Sequence, residues 1–209
     1  MAWTVLGIII SYIFGSIPTA YIFGRVIKGV DIRKFGSGNV GATNAFRLLG
    51  KGWAVVVLAL DILKGFLPVV IIPASIGIRA GVSLETFCML AGISCICGHN
   101  WSIFLGFKGG KGVATTLGVL LGLSIKIAGL KAILGVAILI WLAVFIISRI
   151  ISLASVLAAL SFPVLTVLFK QSISLTSIVT LLAVFIIYRH RSNIKRILNG
   201  KEPRLSFKK

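Results

Sequence analysis

The sequence predicts an all-α fold: a polytopic transmembrane bundle of seven helices, with its N-terminus outside and its C-terminus in the cytoplasm. Three observations predict it. The chain is 58% hydrophobic and 12% charged, with a mean hydropathy of +1.09, whereas a soluble domain is about 25% charged. Its apolar residues fall in long runs, and a membrane helix needs about 20 of them. Finally, 22 Lys+Arg stand against 4 Asp+Glu. In a soluble chain a net charge of +18 would suggest nucleic acid. In a membrane protein it has a simpler cause, because cytoplasmic loops collect Lys and Arg. No nucleic-acid partner is expected. The excess should attract membrane lipid and anionic substrates.

The first helix is expected over Ala2–Gly24, kinked at Pro18. No basic residue precedes it, which argues for a retained helix rather than a signal peptide. Arg25 to Phe35 alternate basic and aliphatic residues, as in a segment lying among lipid headgroups. A polar loop follows, Gly36 to Arg47. The second helix spans Trp53–Ala74 and carries Asp61 and Lys64 three residues apart, on one face. Charges inside a span are costly and mark function by default; an internal pair that fixes packing is the equal alternative. A short outer loop holds Arg79. The third helix, Val82–Cys97, ends in Gly98-His99-Asn100. The fourth, Gly112–Ile125, is short for a span. The remaining three cover Ala128–Ile147, Ile151–Phe169 and Leu175–Tyr188, the last continuing to a stop at Asn199-Gly200. A five-helix count is the alternative. Residues 1–200 read as one domain and 201–209 as a basic cytoplasmic tail.

Topology follows from charge. Seventeen of the 22 basic residues fall in the segments assigned inside and four in those outside, with Lys64 within a helix. That fits the positive-inside rule and puts three polar clusters on the cytoplasmic face.

The first cluster is Gly36-Ser37-Gly38-Asn39-Val40-Gly41-Ala42-Thr43-Asn44, closed by Arg47. Glycines admit close backbone approach, and Arg offers a planar cationic fork. Such a loop suits an oxyanion or phosphate. The second runs from Gly98-His99-Asn100 through Lys108-Gly109-Gly110-Lys111-Gly112 into a helix start, another place for phosphate. It is not an ATP-binding P-loop, because Leu105 and Gly112 stand where Gly and Ser or Thr would be needed. The third is Arg189, His190, Arg191 and Asn193. Carboxylates are too few for a Ser-His-Asp triad, and metal ligands are too few for a metal site. Cys88, Cys95 and Cys97 read as small buried residues. What fits is a site holding one or two phosphorylated anions beside an apolar cavity.

These stretches resemble the three cytoplasmic motifs of the bacterial acyl-phosphate-dependent glycerol-3-phosphate acyltransferases. The resemblance rests on Gly36–Asn44 with Arg47, on Gly98–Asn100 with Gly109–Thr115, and on Tyr188–Arg191 with Asn193. It covers nearly the whole chain to Gly200; from Lys201 onward it adds nothing. It implies transfer of a long-chain acyl group from acyl phosphate to the 1-hydroxyl of sn-glycerol 3-phosphate, without a cofactor. The products are lysophosphatidic acid and phosphate. It implies a monomer in the bacterial inner membrane with its site facing the cytoplasm. The catalytic residues implied are Ser37, Arg47, Lys111, His190 and Asn193. Substrate binding would involve Gly36, Gly38, Asn39, Gly41, Thr43, Asn44, His99, Asn100, Lys108, Gly109, Gly110 and Arg189. Asp61 and Lys64 remain a structural or site ion pair. The general base is His190, His99 or a phosphate oxygen of the donor. The rivals are a phosphate-ester transporter, which should show internal repeats, and a lipid-binding scaffold, which needs none of these glycines.

Overall fold

A helix satisfies its own backbone groups, which is what a bilayer demands of a spanning segment. The computed structural model, which describes residues 2–76 and 81–205, has helices and no strand among those residues. The chain divides into two units at Lys126/Ile127. The first contains α1 (Ala2–Ser16), α2 (Thr19–Lys28), α3 (Ala42–Leu49), α4 (Lys51–Ile76), α5 (Leu84–Asn100) and α6 (Val113–Ser124). The second contains α7 (Leu130–Ser148), α8 (Ile151–Leu168), α9 (Ile173–Arg189) and α10 (Arg191–Leu198).

Each of the seven apolar segments is helical. Five are long and apolar enough to cross a membrane, and the bent pair α9–α10 brings the number to six if it is one span. α6, at 12 residues, is short for a span, as its sequence suggested. The chain is a multi-pass membrane protein. Arg79 lies outside the described residues.

Prolines disturb two of the spans. The first segment is one span over Ala2–Lys28, kinked at Pro18 as expected: α1 stops before Ile17-Pro18, and the Thr19 amide turns back onto the Ile17 carbonyl at 3.1 Å. α2 then continues to Lys28, where Gly29 at φ 66° ends it. Arg25 and Lys28, the first of the basic residues in the alternating stretch, therefore belong to α2. Within α4, Pro68 has no amide to give the carbonyl four residues back. That carbonyl belongs to Lys64, and the Cys95 thiol of α5 donates to it at 3.1 Å.

The first unit is held by close helix crossings, α1 on α5 and α4 on α6. Apolar lipid gives no hydrophobic drive between helices, so small residues that let backbones touch take over. A Cβ on Gly98 would lie 2.9 Å from the Ser16 amide, and one on Gly118 would lie 2.8 Å from the Ile62 carbonyl carbon. Ser94 of α5 adds a hydrogen bond to the Ile8 carbonyl of α1 at 2.7 Å. In the second unit, α8 packs on both α7 and α9, and the Trp141 indole donates to Ser155 Oγ at 3.2 Å.

Candidate active site

The first cluster begins with Asp31. Its carboxylate accepts from the Arg33 amide at 3.0 Å and from the Arg33 guanidinium at 2.7 and 3.0 Å, which winds residues 32–34 into a single 3-10 turn. Those bonds hold the Asp31 carboxyl down at about 2, against the opposing effect of burial. Arg25 lies 3.9 Å from the same carboxylate, and the Tyr21 ring lies within 5.4 Å of both guanidiniums. Arg25 and Arg33 are thus engaged internally, whereas Arg47 on α3 stays exposed.

The stretch expected as one loop from Gly36 to Arg47 is a loop only to Gly41; α3 begins at Ala42. Gly36 (φ 54°) and Gly38 (φ 68°) take left-handed turns that few other residues adopt. Asn44 fixes the shape of the loop. Its amide donates to the carbonyls of Ile32 (3.1 Å) and Phe35 (3.0 Å), and its oxygen accepts from the Ser37 amide at 3.1 Å. At 1% exposure, with both ends of its amide engaged, Asn44 braces the loop instead of contacting substrate as the sequence reading held. Ser37 is exposed at the turn, and Asn39, Gly41 and Thr43 are half-buried beyond it. Gly41 has no side chain with which to cap α3, which leaves first-turn amides for an anion.

In the second cluster α5 runs on through Gly98, His99 and Asn100, so these residues form the helix end that the sequence reading gave them. The Tyr12 hydroxyl donates to the Trp101 carbonyl, and Ser102 Oγ to the Ser16 carbonyl, each at 2.6 Å, pinning this end to α1. The glycine run presses onto it. Gly110 N donates to the His99 carbonyl at 3.0 Å, and a Cβ on Gly110 would sit 2.8 Å from His99 Cε1 and 3.0 Å from Cδ2, at the Nε2 corner of the ring. A Cβ on Gly109 would lie 2.7 Å from the Asn100 carbonyl carbon, and one on Gly112 (φ 80°) 2.9 Å from Asn100 Oδ1. Side chains have no room there. The loop carries half-buried Lys111 and exposed Lys108 to the start of α6, which Gly112 likewise leaves without a side-chain cap.

His99 is 7% exposed, with Nδ1 3.8 Å from Asp61 Oδ1 and Gly110 against its ring. The imidazole is thus walled by Asp61 on the Nδ1 side and by Gly110 on the other. Asp61 and Lys64 pair at 2.8 Å and are 1% and 5% exposed. Thr19 Oγ1 donates to Asp61 at 2.5 Å, and Lys64 Nζ donates at 2.8 Å to the Ile17 carbonyl at the α1–α2 break. Thr19 escaped the sequence reading; its only signal was its place directly after Pro18.

The third cluster lies in the second unit. α9 does not run straight to Leu198. It ends at half-buried Arg189, and the chain bends by 60° into α10. The bend falls on His190, which is 3% exposed. His190 Nδ1 lies 2.8 Å from the Ile186 carbonyl, an acceptor, so Nδ1 carries the proton and Nε2 is the basic nitrogen. Asn193 is 6% exposed and donates through Nδ2 to Glu202. Ser152 Oγ (2.7 Å) and Arg196 Nε (2.6 Å) bind the same carboxylate. Burial opposes ionisation of Glu202, but these three hydrogen bonds outweigh it and hold the carboxyl below its usual value. The residues from Lys201, given no role by the sequence, therefore include the acid that fixes Asn193. One of four acids in the whole chain, standing in a basic tail, was the available signal.

Glycine-shaped cationic turns at helix ends, carried by a polytopic membrane bundle, define a membrane enzyme that handles phosphorylated substrates. A family profile described as Glycerol-3-phosphate acyltransferase matches residues 5–200. The chain belongs to that family and is an acyltransferase. It is 46% identical over 200 residues to "Glycerol-3-phosphate acyltransferase 2" of Moorella thermoacetica, covering 96% of each chain. It is 41% identical over 206 residues to the glycerol-3-phosphate acyltransferase of Thermoanaerobacter sp. (strain X514), covering 99% of this chain and 98% of that one. Among solved structures it matches the glycerol 3-phosphate form of PlsY (YgiH), an integral membrane glycerol 3-phosphate acyltransferase. That match has a TM-score of 0.85 and 38% identity, over 97% of this chain and 96% of the other. The lysophosphatidic acid form of PlsY matches with a TM-score of 0.82 at the same identity.

Proposed function

We propose that this enzyme acylates the 1-hydroxyl of sn-glycerol 3-phosphate with a long-chain acyl phosphate, as a monomer at the cytoplasmic face of a bacterial inner membrane. The observation that carries the reading is the loop Gly109–Gly112. Packed so tightly on α5 that only backbone fits, it brings amides and Lys111 to a helix start, where a phosphate is stabilised. Ser37, the backbone at Gly38 and Gly41, and Lys111 hold the head of the acyl phosphate, with the Gly38 amide itself donated to the Phe35 carbonyl to set the turn. The groups suited to glycerol 3-phosphate are Arg47 and Lys108 in the first unit and His190 and Asn193 in the second, with Arg189 adding positive charge beside His190. Gly36, Asn39 and Thr43 shape the first turn, and Asn100 supports the second.

The chemistry needs no covalent enzyme intermediate. The glycerol C1 oxygen bonds to the acyl carbon, the bond from that carbon to the phosphate oxygen breaks, and phosphate leaves with the electron pair. The hydroxyl proton passes to His190 Nε2 or to a phosphate oxygen of the donor. Holding the two reactants in register supplies about 7–11 kcal/mol in favourable cases. The first test is phosphate release by purified protein given palmitoyl phosphate with and without glycerol 3-phosphate. Release that requires both substrates and yields lysophosphatidate is expected. Release without glycerol 3-phosphate would make the protein a hydrolase. Near-normal turnover in His190→Gln would leave the donor phosphate as base.

A further inference from the structure

The buried pair Asp61–Lys64 has no part in the mechanism above. Its surroundings exceed what packing requires. Three groups from three elements face Asp61 Oδ1: Lys64 Nζ at 2.8 Å, Thr19 Oγ1 at 2.5 Å and His99 Nδ1 at 3.8 Å. Lys64 and Thr19 explain themselves, since they satisfy the carboxylate and mend the helix break at Ile17. The histidine does not, because a pair that only joined α4 to the α1–α2 junction would need no imidazole beside it.

The other side of His99 supplies the reason. Gly110 rests against the Nε2 corner of its ring, and the His99 carbonyl receives the Gly110 amide at 3.0 Å. A ring in this position cannot turn without displacing Gly110, and Lys111 is the next residue. Asp61 lies beyond hydrogen-bond length from Nδ1 but, at 3.8 Å, is close enough for its carboxylate to orient the imidazole dipole. We infer that Asp61 is a positioning residue: acting through His99, it sets the orientation of the Gly109–Lys111 loop and so the place of the Lys111 ammonium. The inference rests on the acyltransferase reading, in which Lys111 holds the phosphate of the acyl donor.

The test compares the wild-type enzyme with Asp61→Asn/Lys64→Met, which removes both charges and leaves none unbalanced. The variant should fold, as judged by monodispersity and a cooperative melt. Its kcat/KM for acyl phosphate should fall about 100-fold, the scale of a misplaced catalytic group. The loss should appear mainly in KM for acyl phosphate, with KM for glycerol 3-phosphate nearly unchanged. Adding His99→Gln should cost nothing further, because Asp61 acts through that ring. A folded variant with wild-type KM for acyl phosphate, or full additivity with His99→Gln, overturns the inference. If the double variant does not fold, Thr19→Val decides, with an expected rise of about tenfold in the same KM, the worth of one hydrogen bond to a charged group; no rise overturns the inference. A wild-type protein that makes no lysophosphatidate fails the acyltransferase reading itself, a result distinct from failure of the variants alone.

Discussion

Replacing Gly118 by alanine tests the architecture of the first unit most directly. The added Cβ would lie 2.8 Å from the Ile62 carbonyl carbon and 3.0 Å from the Phe66 amide, with the Ile62 oxygen closer still. Ordinary contact begins at 3.4 Å, and the neighbouring atoms are backbone of α4, which cannot swing aside like a side chain. α4 and α6 must therefore separate by more than half an ångström along their crossing. Overpacking costs about 1–3 kcal/mol and occasionally more, and a backbone clash belongs at the upper end. The gain in helix propensity from Gly to Ala returns about 1 kcal/mol. A net loss of about 2 kcal/mol lowers the melting temperature of a chain this size by about 4–8 °C. Gly135→Ala is the control: it lies in α7 with nothing within 4 Å of the new Cβ and should melt at or slightly above wild type. The assay is thermal unfolding in detergent at one scan rate, read by tryptophan fluorescence. If Gly118→Ala melts no lower than Gly135→Ala, the α4–α6 crossing is looser than described and the argument from backbone contact fails.

Three further outcomes follow from the site. Lys111→Ala should fold normally and lose roughly 100-fold in kcat/KM, the usual cost of removing one charge-stabilising donor, measured by phosphate release. Glu202→Gln should weaken charge-assisted bonds to Asn193 and Arg196, costing about 1.5–3 kcal/mol, read as a lower melting temperature together with reduced activity. Asp31 predicts an acid limb. Its folded value of about 2 lies below the ordinary 3.8, so its contribution is fully present above 3.8 and is lost as pH falls toward 2. Melting curves between pH 2 and 5 should show that loss in wild type and not in Asp31→Asn, in which the two curves converge at the acid end.

The helices were legible because lipid imposes a plain rule: long apolar runs must be helical. The breaks were less so. Pro18 signalled the kink but not the group that takes the Ile17 carbonyl there, since Lys64 arrives from 47 positions away. The clusters were visible as polar islands in an apolar sequence. The division of labour within them was not, because Asn44 and Ser37 look alike on paper and only burial separates the brace from the exposed hydroxyl. His99 stood out as one of two histidines in the chain, which made it one of three candidates for the base; its packing against Gly110 was not legible. Glu202 looked like part of a solvated tail because its partners, Ser152 and Asn193, are distant in sequence.

The bond from Cys95 to the carbonyl that Pro68 leaves open also has a practical side. The thiol is buried between α4 and α5 while half-buried Cys97 sits two residues on. A maleimide should therefore label Cys97 early and Cys95 only when those two helices part. In a Cys88→Ala/Cys97→Ala background, the labelling rate of Cys95 becomes a clock for the opening of the membrane core, readable by mass spectrometry without substrate or fluorophore.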